Sequence, residues 1–395
     1  MMVKKLGVLL VGSTILLSSC GLFDWGKGNG DIYGSSSSSA TSQVVSESES
    51  SKSASSISSQ SSVSESSKPS ASNTSTASIV SSRQLQDYPL ACQTLADQIA
   101  EAVHFPLAKG YHASFTGDSM EYSSFTRTYD FIDGNLLYMR SDNGGTTTLE
   151  VVKVTKDKAQ ILFGRPEAYA HEAIPQDLVT QMSEPSTIYL QAPLEKGHKW
   201  QTTDGSREII GIDVAIKTPT GNYKTIEVIE KRNDGSTRTE YYAKDVGLVY
   251  AVDELTGESG YLVTQSLSKL AFKGWTESIP YQYVTGPDAF ETATEKAWMT
   301  TNTSMALIFT EMFQGKYTVG EVLLPKRSSI QSITTNGQMS GQGKVITVDF
   351  TGDIASIATD DLGKEKLDAM ISSIDQYYNA DEVAVTVNGK PMVVK

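Results

Sequence analysis

Hydrophobic and polar residues alternate in short runs through the middle of the chain, and glycine, asparagine and aspartate separate the runs. Alternation with a period of two is typical of β-strands that bury one face, and Asp133-Gly134 between two such runs is typical of a hairpin turn. Because the turns recur about every 8 to 14 residues, the pattern predicts one curved antiparallel sheet or an open barrel. The predicted strands cover 129–132, 136–139, 148–154, 159–163, 188–190, 208–217, 223–231, 237–243 and 247–252.

A helical pattern precedes these strands. Leu95, Ile99 and Val103 recur at a spacing of four, which predicts a helix over 88–105 with one apolar face. Cys92 lies on this helix near negative charges, whereas a reactive thiol needs a positive neighbourhood. We therefore interpret Cys92 as a small buried hydrophobe.

From about residue 277 the pattern changes to an alternation of helices and strands. Ser304 or Thr303 is a candidate N-cap for a helix that ends before Gly315, and an apolar stripe that includes Leu367 and Ile374 marks a second helix. This order of elements predicts a second, smaller α/β domain. Its helices are predicted over 304–313 and 362–378, and its strands over 280–284, 330–334, 344–350 and 383–387.

The first 19 residues have the features of a secretion signal. Lys4 and Lys5 precede an apolar run over 6–17 that is too short to cross a bilayer, where a helix needs about 20 residues. The run ends in Leu17-Ser18-Ser19-Cys20, which resembles the lipobox of bacterial lipoproteins. The resemblance implies that the Cys20 thiol is acylated, with a group such as palmitate, and that the chain is cut before it. An ordinary cleavable signal with an incidental cysteine is the alternative.

Serine dominates the segment that follows. Of the 48 residues over 35–82, 26 are serine, and such a tract buries too little apolar surface to offset the entropy of ordering its backbone. We expect residues 20–82 to form a disordered linker, whose serine-rich part spans roughly 35 to 42 Å as a flexible coil. A segment that receives O-glycosylation or phosphorylation is the alternative.

The net charge of −13 belongs entirely to the predicted folded part. Residues 1–82 carry five basic and five acidic side chains, which leaves 28 basic and 41 acidic side chains for 83–395. A protein that binds nucleic acid needs a basic face for the phosphate backbone, so we expect no nucleic-acid partner. Two cysteines and four histidines supply no Cys-rich or His-rich metal site, and we expect no cofactor.

Candidate catalytic or metal-binding groups are few. Asp349, Asp353, Asp360 and Asp361 crowd one region, but their spacing does not match a calcium loop, and we interpret them as a solvated acidic loop. His171-Glu172 lacks the second histidine of a zinc-binding helix. The sequence contains no nucleophile elbow or phosphate-binding loop. We therefore predict a protein without catalytic activity, with a cell-wall hydrolase as a rival that needs two carboxylates paired in a groove.

Four short phrases of the β domain, at 193–200, 210–212, 218–223 and 241–249, resemble a diffuse class of bacterial envelope lipoproteins. The half-barrels of that class are similar to the LolA/LolB-type carriers of lipids. The resemblance implies a concave sheet face that holds an apolar ligand, and the alternative is a core filled by aromatic side chains. The aromatic residues that would fill it include Trp200, Tyr241 and Tyr242.

In the second domain, the helix before Gly315 is followed by Leu323-Leu324-Pro325, a strand with Val348-Asp349-Phe350, the helix over 362–378 and the segment 383–389. This order resembles the GerMN domain found in sporulation and germination lipoproteins of Gram-positive bacteria. The resemblance implies an α/β module on the outer face of the membrane. Such a module would serve assembly with other envelope proteins or ligand binding, and the resemblance implies no catalytic residues.

The sequence thus predicts an α+β protein in four parts: a lipoprotein signal over 1–19, a lipid-anchored disordered linker over 20–82, a mostly antiparallel, half-barrel-like β domain with a helix over 83–276, and a GerMN-like α/β domain over 277–395. The predicted function is that of a membrane-anchored extracytoplasmic lipoprotein of a Gram-positive cell, with a sporulation or germination role implied by the family alone. The alternative is a carrier of an apolar ligand. The expected partners are the membrane, through Cys20, and an envelope protein or cell-wall component.

Overall fold

The computed structural model describes residues 104–182, 187–256, 261–287, 289–316, 322–352 and 354–392, and all of them belong to one compact unit. Several predictions concern residues outside these ranges and stay predictions: the signal, Cys20, the serine-rich linker, Cys92 and all but the last two residues of the helix over 88–105. No helix among the described residues is long and apolar enough to cross a bilayer.

Twelve strands of the described residues form one sheet in which all neighbours are antiparallel. In chain order, they make two successive meanders of six strands each, and the first strand of the first meander pairs with the last strand of the second. The strands are β1 (His112–Asp118), β2 (Phe125–Asp133), β3 (Leu136–Asp142), β4 (Thr147–Val154), β5 (Lys158–Arg165), β6 (Ile188–Gln191), β7 (Lys199–Thr202), β8 (Gly205–Thr218), β9 (Gly221–Arg232), β10 (Thr237–Ala243), β11 (Gly247–Leu255) and β12 (Tyr261–Ala271).

The two free edges of this sheet, β6 and β7, meet each other. The indole Nε1 of Trp200 in β7 donates to the carbonyl oxygen of Ile188 in β6 at 2.9 Å, and Arg207 Nη1 in β8 donates to the Tyr189 carbonyl oxygen at 3.2 Å. The sheet therefore curls into a nearly closed barrel. This confirms the predicted antiparallel β architecture and extends the predicted half-barrel towards closure.

Large side chains fill the inner side of the barrel. The rings of Tyr111 and Tyr129 stack with centroids 4.0 Å apart, and those of Phe105 and Tyr189 stack at 5.6 Å. Because side chains of a strand alternate between the faces, each strand contributes every second residue to this core. Further buried members are Phe115, Leu137, Met139, Val152, Val154, Ile161, Leu190, Trp200, Ile209, Val228, Tyr242 and Leu267.

A short helix covers part of the outer face. Helix α1 (Gln176–Met182) and the segment before it place Ile174 and Val179 against Tyr138, Val151 and Phe163 of β3, β4 and β5. These residues form a small hydrophobic cluster on the outer side of the barrel, and the sequence pattern did not predict this helix.

The rest of the described chain forms an α/β layer. Strands β13 (Trp275–Gly286) and β14 (Ala289–Met299) make a long hairpin, and a separate sheet has the order β15-β16-β17-β18, with β16 and β17 parallel. Its elements are α2 (Met305–Phe313), β15 (Ser329–Thr335), β16 (Val345–Thr351), a 3₁₀ turn (Ile354–Thr359), α3 (Asp361–Tyr378), β17 (Glu382–Val387) and β18 (Lys390–Pro391).

Both helices of this layer begin where the sequence predicts them. The Ser304 side chain caps α2 by accepting from the Leu307 N–H, and the Asp360 carboxylate caps α3 by accepting from the Gly363 N–H. The strands predicted at 330–334, 344–350 and 383–387 are confirmed within a residue or two of their ends. The domain boundary predicted between 276 and 277 falls inside β13, and the four-part division of the chain stays a prediction.

Candidate functional site

Five charged side chains form a chain of ion pairs inside the barrel. We call Arg207, Glu230, Arg238, Glu240 and Asp253 the inner ladder, and each is at most 7% exposed. Arg207, Glu230, Arg238 and Asp253 lie directly opposite one another on β8, β9, β10 and β11. Positive and negative charges therefore alternate across four neighbouring strands. Each buried charge has an opposite charge beside it, which burial of an ion requires.

Glu240 joins the two arginines of the inner ladder. Arg207 Nη1 donates to its Oε2 at 2.9 Å, Arg238 Nε donates to its Oε1 at 2.8 Å, and the Tyr242 hydroxyl donates to Oε2 at 2.6 Å. Burial would raise the pKa of Glu240, but the charges of Arg207 and Arg238 outweigh it and lower the pKa to about 2. The carboxylate is therefore ionised at neutral pH, and both of its oxygens accept hydrogen bonds from neighbouring side chains.

A second group of buried polar side chains links the barrel to the α/β layer. We call Asp130, Arg140, His171, Glu277 and Tyr377 the seam. Arg140 Nε lies 2.7 Å from Asp130 Oδ2, and its two terminal nitrogens lie 2.7 and 3.2 Å from the two oxygens of Glu277. The bidentate geometry is the strong form of an arginine–carboxylate contact. Arg140 thus joins a barrel strand to the hairpin of β13 and β14.

The pKa of Asp130 reflects this position. Burial would raise it, but the charge of Arg140, together with His171, lowers the pKa to about 2. The Thr128 hydroxyl also donates to Asp130 Oδ1 at 2.6 Å. Asp130 is therefore an ionised, fully surrounded carboxylate.

His171 is almost fully enclosed, with 1% of its surface exposed. Its Nδ1 lies 3.5 Å from Asp130 Oδ2, its Nε2 lies 3.1 Å from the Thr303 carbonyl oxygen, and its backbone N–H donates to the Tyr377 hydroxyl oxygen at 2.9 Å. A carbonyl oxygen only accepts, so Nε2 carries a proton. An aspartate–histidine pair is part of a catalytic triad, but here a backbone carbonyl occupies the position of the nucleophile. His171 therefore holds the backbone of Thr303 against the barrel.

The next residue, Glu172, makes a parallel link. Its Oε2 lies 2.7 Å from Arg165 Nη2 and 2.9 Å from Lys344 Nζ, and Lys344 also donates to the Tyr378 carbonyl oxygen at 2.6 Å. Burial would raise the pKa of Glu172, but Arg165 and Lys344 lower it. Burial lowers the pKa of Lys344, and Glu172 opposes that effect. Arg165 of strand β5 and Lys344, the residue before β16, therefore contact the same carboxylate of Glu172.

The aspartates singled out in the sequence do not gather into one site. Asp349 Oδ1 accepts from the Thr386 hydroxyl at 2.6 Å and from the Gly389 N–H at 2.8 Å, while Asp360 caps α3. Asp353 lies outside the described residues. Among the residues that the structure describes, no group of three or more histidine, cysteine, aspartate or glutamate side chains is placed to hold a metal ion.

The predicted aromatic plugs divide between the two faces. Trp200 and Tyr242 are 5% and 2% exposed and belong to the inner core. Tyr241 is only partly buried, and its hydroxyl donates to Glu227 Oε1 at 2.8 Å. Neighbouring side chains of one strand point to opposite faces, so Tyr241 cannot plug the barrel beside Tyr242, and that part of the prediction is wrong.

Sequence reasoning missed both buried charge clusters. In the sequence, His171-Glu172 resembles only an incomplete zinc motif. In the structure, each residue contacts the α/β layer, His171 through Thr303 and Glu172 through Lys344. The signal for the inner ladder was present in the alternation itself, because Glu230 follows Ile226 and Val228 on the same face of one strand. A charged residue at an inward position of a strand requires a partner on the neighbouring strand.

No protein-family model and no curated protein matches the chain. One solved structure that matches is described as an exported protein with a YmcC-like fold from Bacteroides fragilis, with 11% identity, a TM-score of 0.25, and coverage of 43% of this chain and 99% of that one. A second is described as a lipoprotein from Parabacteroides distasonis, with 12% identity, a TM-score of 0.26, and coverage of 43% and 99%. At these TM-scores the likeness carries no conclusion about this chain.

Proposed function

We propose that this protein is a lipid-anchored lipoprotein on the extracytoplasmic face of a cell membrane, and that its folded part works without catalysis as a rigid binding module. The observation that carries the anchor is Leu17-Ser18-Ser19-Cys20, directly after an apolar run and two lysines. Two or more acyl chains on Cys20 would hold the chain stably at the membrane. The linker over 20–82 would then set the reach of the folded part.

The buried ion pairs support the rigid module. The charged groups of the inner ladder and the seam lie beside opposite charges, and Nε2 of His171 faces a backbone carbonyl oxygen. These groups are held at fixed distances and are enclosed, which suits a structural role better than acid–base chemistry on a substrate. The binding partner would meet the outer surface, and the acidic balance of residues 83–395 favours a partner with basic groups.

The α/β layer is the part that we assign to envelope assembly, by its resemblance to the GerMN domain. Its two capped helices and mixed sheet have the order of elements on which that resemblance rests. A protein or a cell-wall component of the envelope is the proposed partner, and a Gram-positive source with a sporulation or germination role follows from the family resemblance alone.

A carrier of an apolar ligand is the second candidate. Trp200, Tyr242 and the inner ladder occupy the inner side of the barrel, so an apolar ligand there would have to displace buried rings and paired charges. Because side chains fill the inside of the barrel, we favour the binding module over the carrier. Solvent extraction of the purified chain, followed by mass spectrometry, is expected to release no apolar molecule in stoichiometric amount. Recovery of such a molecule would favour the carrier.

Metabolic labelling with a radioactive fatty acid tests the anchor. The wild-type chain is expected to incorporate label and to remain with the membrane fraction, and Cys20→Ala is expected to lose both. Cys92→Ala is the matched control, because it removes the other cysteine of the chain and should leave labelling unchanged. Equal incorporation in the wild type and in Cys20→Ala would refute the lipoprotein assignment.

A further inference from the structure

Strand β14 is an edge strand among the residues that the structure describes. Within the part of the chain that the structure describes, β14 pairs only with β13, in a sheet of two strands. The side chains from Phe290 to Lys296 are exposed or half-buried. An edge strand presents unpaired backbone N–H and C=O groups, which are a template for pairing with another strand.

Two large hydrophobic side chains on this strand are exposed to solvent. Trp298 is 60% exposed and Phe290 is 41% exposed. Both are an even number of residues from Thr294, so all three lie on the same face of the strand. Phe290 precedes Thr294 by as many residues as Trp298 follows it, which makes the pattern symmetric about Thr294.

We propose that two copies of this chain pair through β14, antiparallel, about a twofold axis at Thr294. The pairing would complete a four-stranded sheet in the order β13-β14-β14-β13. Phe290 of each copy would lie opposite Trp298 of the other, so both exposed rings gain an aromatic cross-strand partner at the same time. Such aromatic pairs are among the favourable cross-strand contacts, and a shared patch on both copies is the usual form of a twofold interface.

The charges on β14 are compatible with this register and exclude the two nearest alternatives. With the axis at Thr294, Glu291 lies opposite Ala297 of the second copy, and Glu295 lies opposite Ala293. A shift of the axis to Ala293 places Glu291 opposite Glu295, and a shift to Glu295 places that residue opposite itself. Like charges directly opposite each other are destabilising, so the aromatic register avoids both of these contacts. An axis at Thr292 also avoids like charges, but it places Phe290 opposite Thr294, so the aromatic pairing is what selects Thr294.

The backbone agrees with this register. Pro280 lies opposite Thr294 on β13 and has no N–H to donate. Proline fits an antiparallel pair where its backbone groups face away from the partner strand. In that arrangement the N–H and C=O of Thr294 also face away from β13, towards the free edge. Thr294 of each copy can then donate to and accept from Thr294 of the other.

Sedimentation of the full chain in detergent tests the interface. The wild type is expected to dimerise, and Thr294→Glu and Thr294→Lys are each expected to dimerise at least about tenfold more weakly, because each places a charge opposite itself. An equimolar mixture of the two variants is expected to recover the dimer, since glutamate then faces lysine. Ser278→Glu is the matched control, because Ser278 is exposed on the same hairpin but lies on β13, opposite Lys296 and not opposite Phe290, Thr294 or Trp298.

Recovery in the mixture, with a control that dimerises like the wild type, would establish pairing at Thr294. A wild-type chain that stays monomeric would overturn the proposal and leave the edge to a strand from another protein. Dimerisation of Thr294→Glu with wild-type strength would overturn it as well, because the two copies would then associate elsewhere.

Discussion

At the scale of single residues, the buried charges of the barrel make its stability depend on pH. Glu240 accepts from Arg207, Arg238 and Tyr242 in a core from which water is excluded. Protonation of this carboxylate would leave both arginines with one fewer negative partner. A buried charge without a partner costs several kcal/mol, so one proton is sufficient to weaken the whole ladder.

We expect acid to destabilise the fold as the pH falls from about 4 towards 2. The pKa of Glu240 is about 2 in the folded protein and 4.5 as the ordinary value, so the unfolded chain binds the proton first. The stabilisation is complete above the ordinary pKa and is lost as the pH falls through the folded pKa. The contribution of Glu240 to the free energy of unfolding is on the order of 3 kcal/mol. Urea unfolding of the full chain between pH 7 and pH 2.5 measures it.

The variant Glu240→Gln should be less stable at neutral pH and should show a shallower loss of stability in acid. Glu208→Gln serves as the control, since Glu208 pairs with Lys199, whose side chain is 66% exposed, and exposed pairs contribute about 0 to 1 kcal/mol. An acid profile of Glu240→Gln as steep as that of the wild type would contradict the assignment to Glu240.

At the scale of elements, the start of α3 is fixed by a close backbone contact. Gly363 lies in the first turn of the helix, beneath the 3₁₀ turn over Ile354–Thr359. A Cβ atom at this position would lie 1.5 Å from the carbonyl oxygen of Ile357. The glycine therefore allows the 3₁₀ turn and the helix to pack against each other.

Gly363→Ala is expected to destabilise the protein by about 1 to 3 kcal/mol, because backbone must move to admit the methyl group. Helix propensity alone predicts the opposite sign, a gain of about 1 kcal/mol for alanine over glycine. Asp368→Ala is the control on the exposed side of the same helix and should change stability by at most about 0.5 kcal/mol. Thermal unfolding followed by circular dichroism decides between the two signs, and a stabilised Gly363→Ala would show that the close contact is absent.

At the scale of the whole molecule, the barrel and the α/β layer are joined by buried polar contacts. Arg140 holds Asp130 of the barrel and Glu277 of the hairpin, and Lys344 holds Glu172. The turn between β14 and α2 adds backbone contacts, since the Asn302 side chain bonds both the N–H and the C=O of Ile132. Separation of the two parts would expose these charges without their partners, so we expect the parts to unfold together.

Arg140→Met is expected to lower the free energy of unfolding by about 3 to 5 kcal/mol, because it removes the positive charge that both the buried Asp130 and the partly buried Glu277 contact. Fluorescence of the tryptophans and far-ultraviolet circular dichroism should still follow one urea transition, shifted to lower concentration. Lys199→Met, at an exposed ion pair, should shift it little. Two separate transitions in the wild type would show independent domains, in agreement with the boundary predicted near 276.

Local patterns along the chain predicted much of the fold. The Asp133-Gly134 turn joins β2 to β3 as expected, and Ser304 caps α2. Strand β14 was missed because its residues are mostly polar and exposed, so no hydrophobic alternation marks it. Tyr241 was misplaced because aromatic character alone does not reveal which face of a strand a residue occupies.

The sequence by itself determined the local elements and the lipobox-like Cys20, because each depends on residues close together in the chain. It also determined the acidic charge of residues 83–395, because net charge depends on composition alone. The tertiary structure alone decided that β1 pairs with β12, that the barrel nearly closes, and that His171 and Glu172 reach the α/β layer. The pairing of β1 with β12 and the contacts of His171 and Glu172 join residues more than 100 positions apart. Their formation depends on loop-closure entropy and on packing of the entire core, which no local period of hydrophobic residues records.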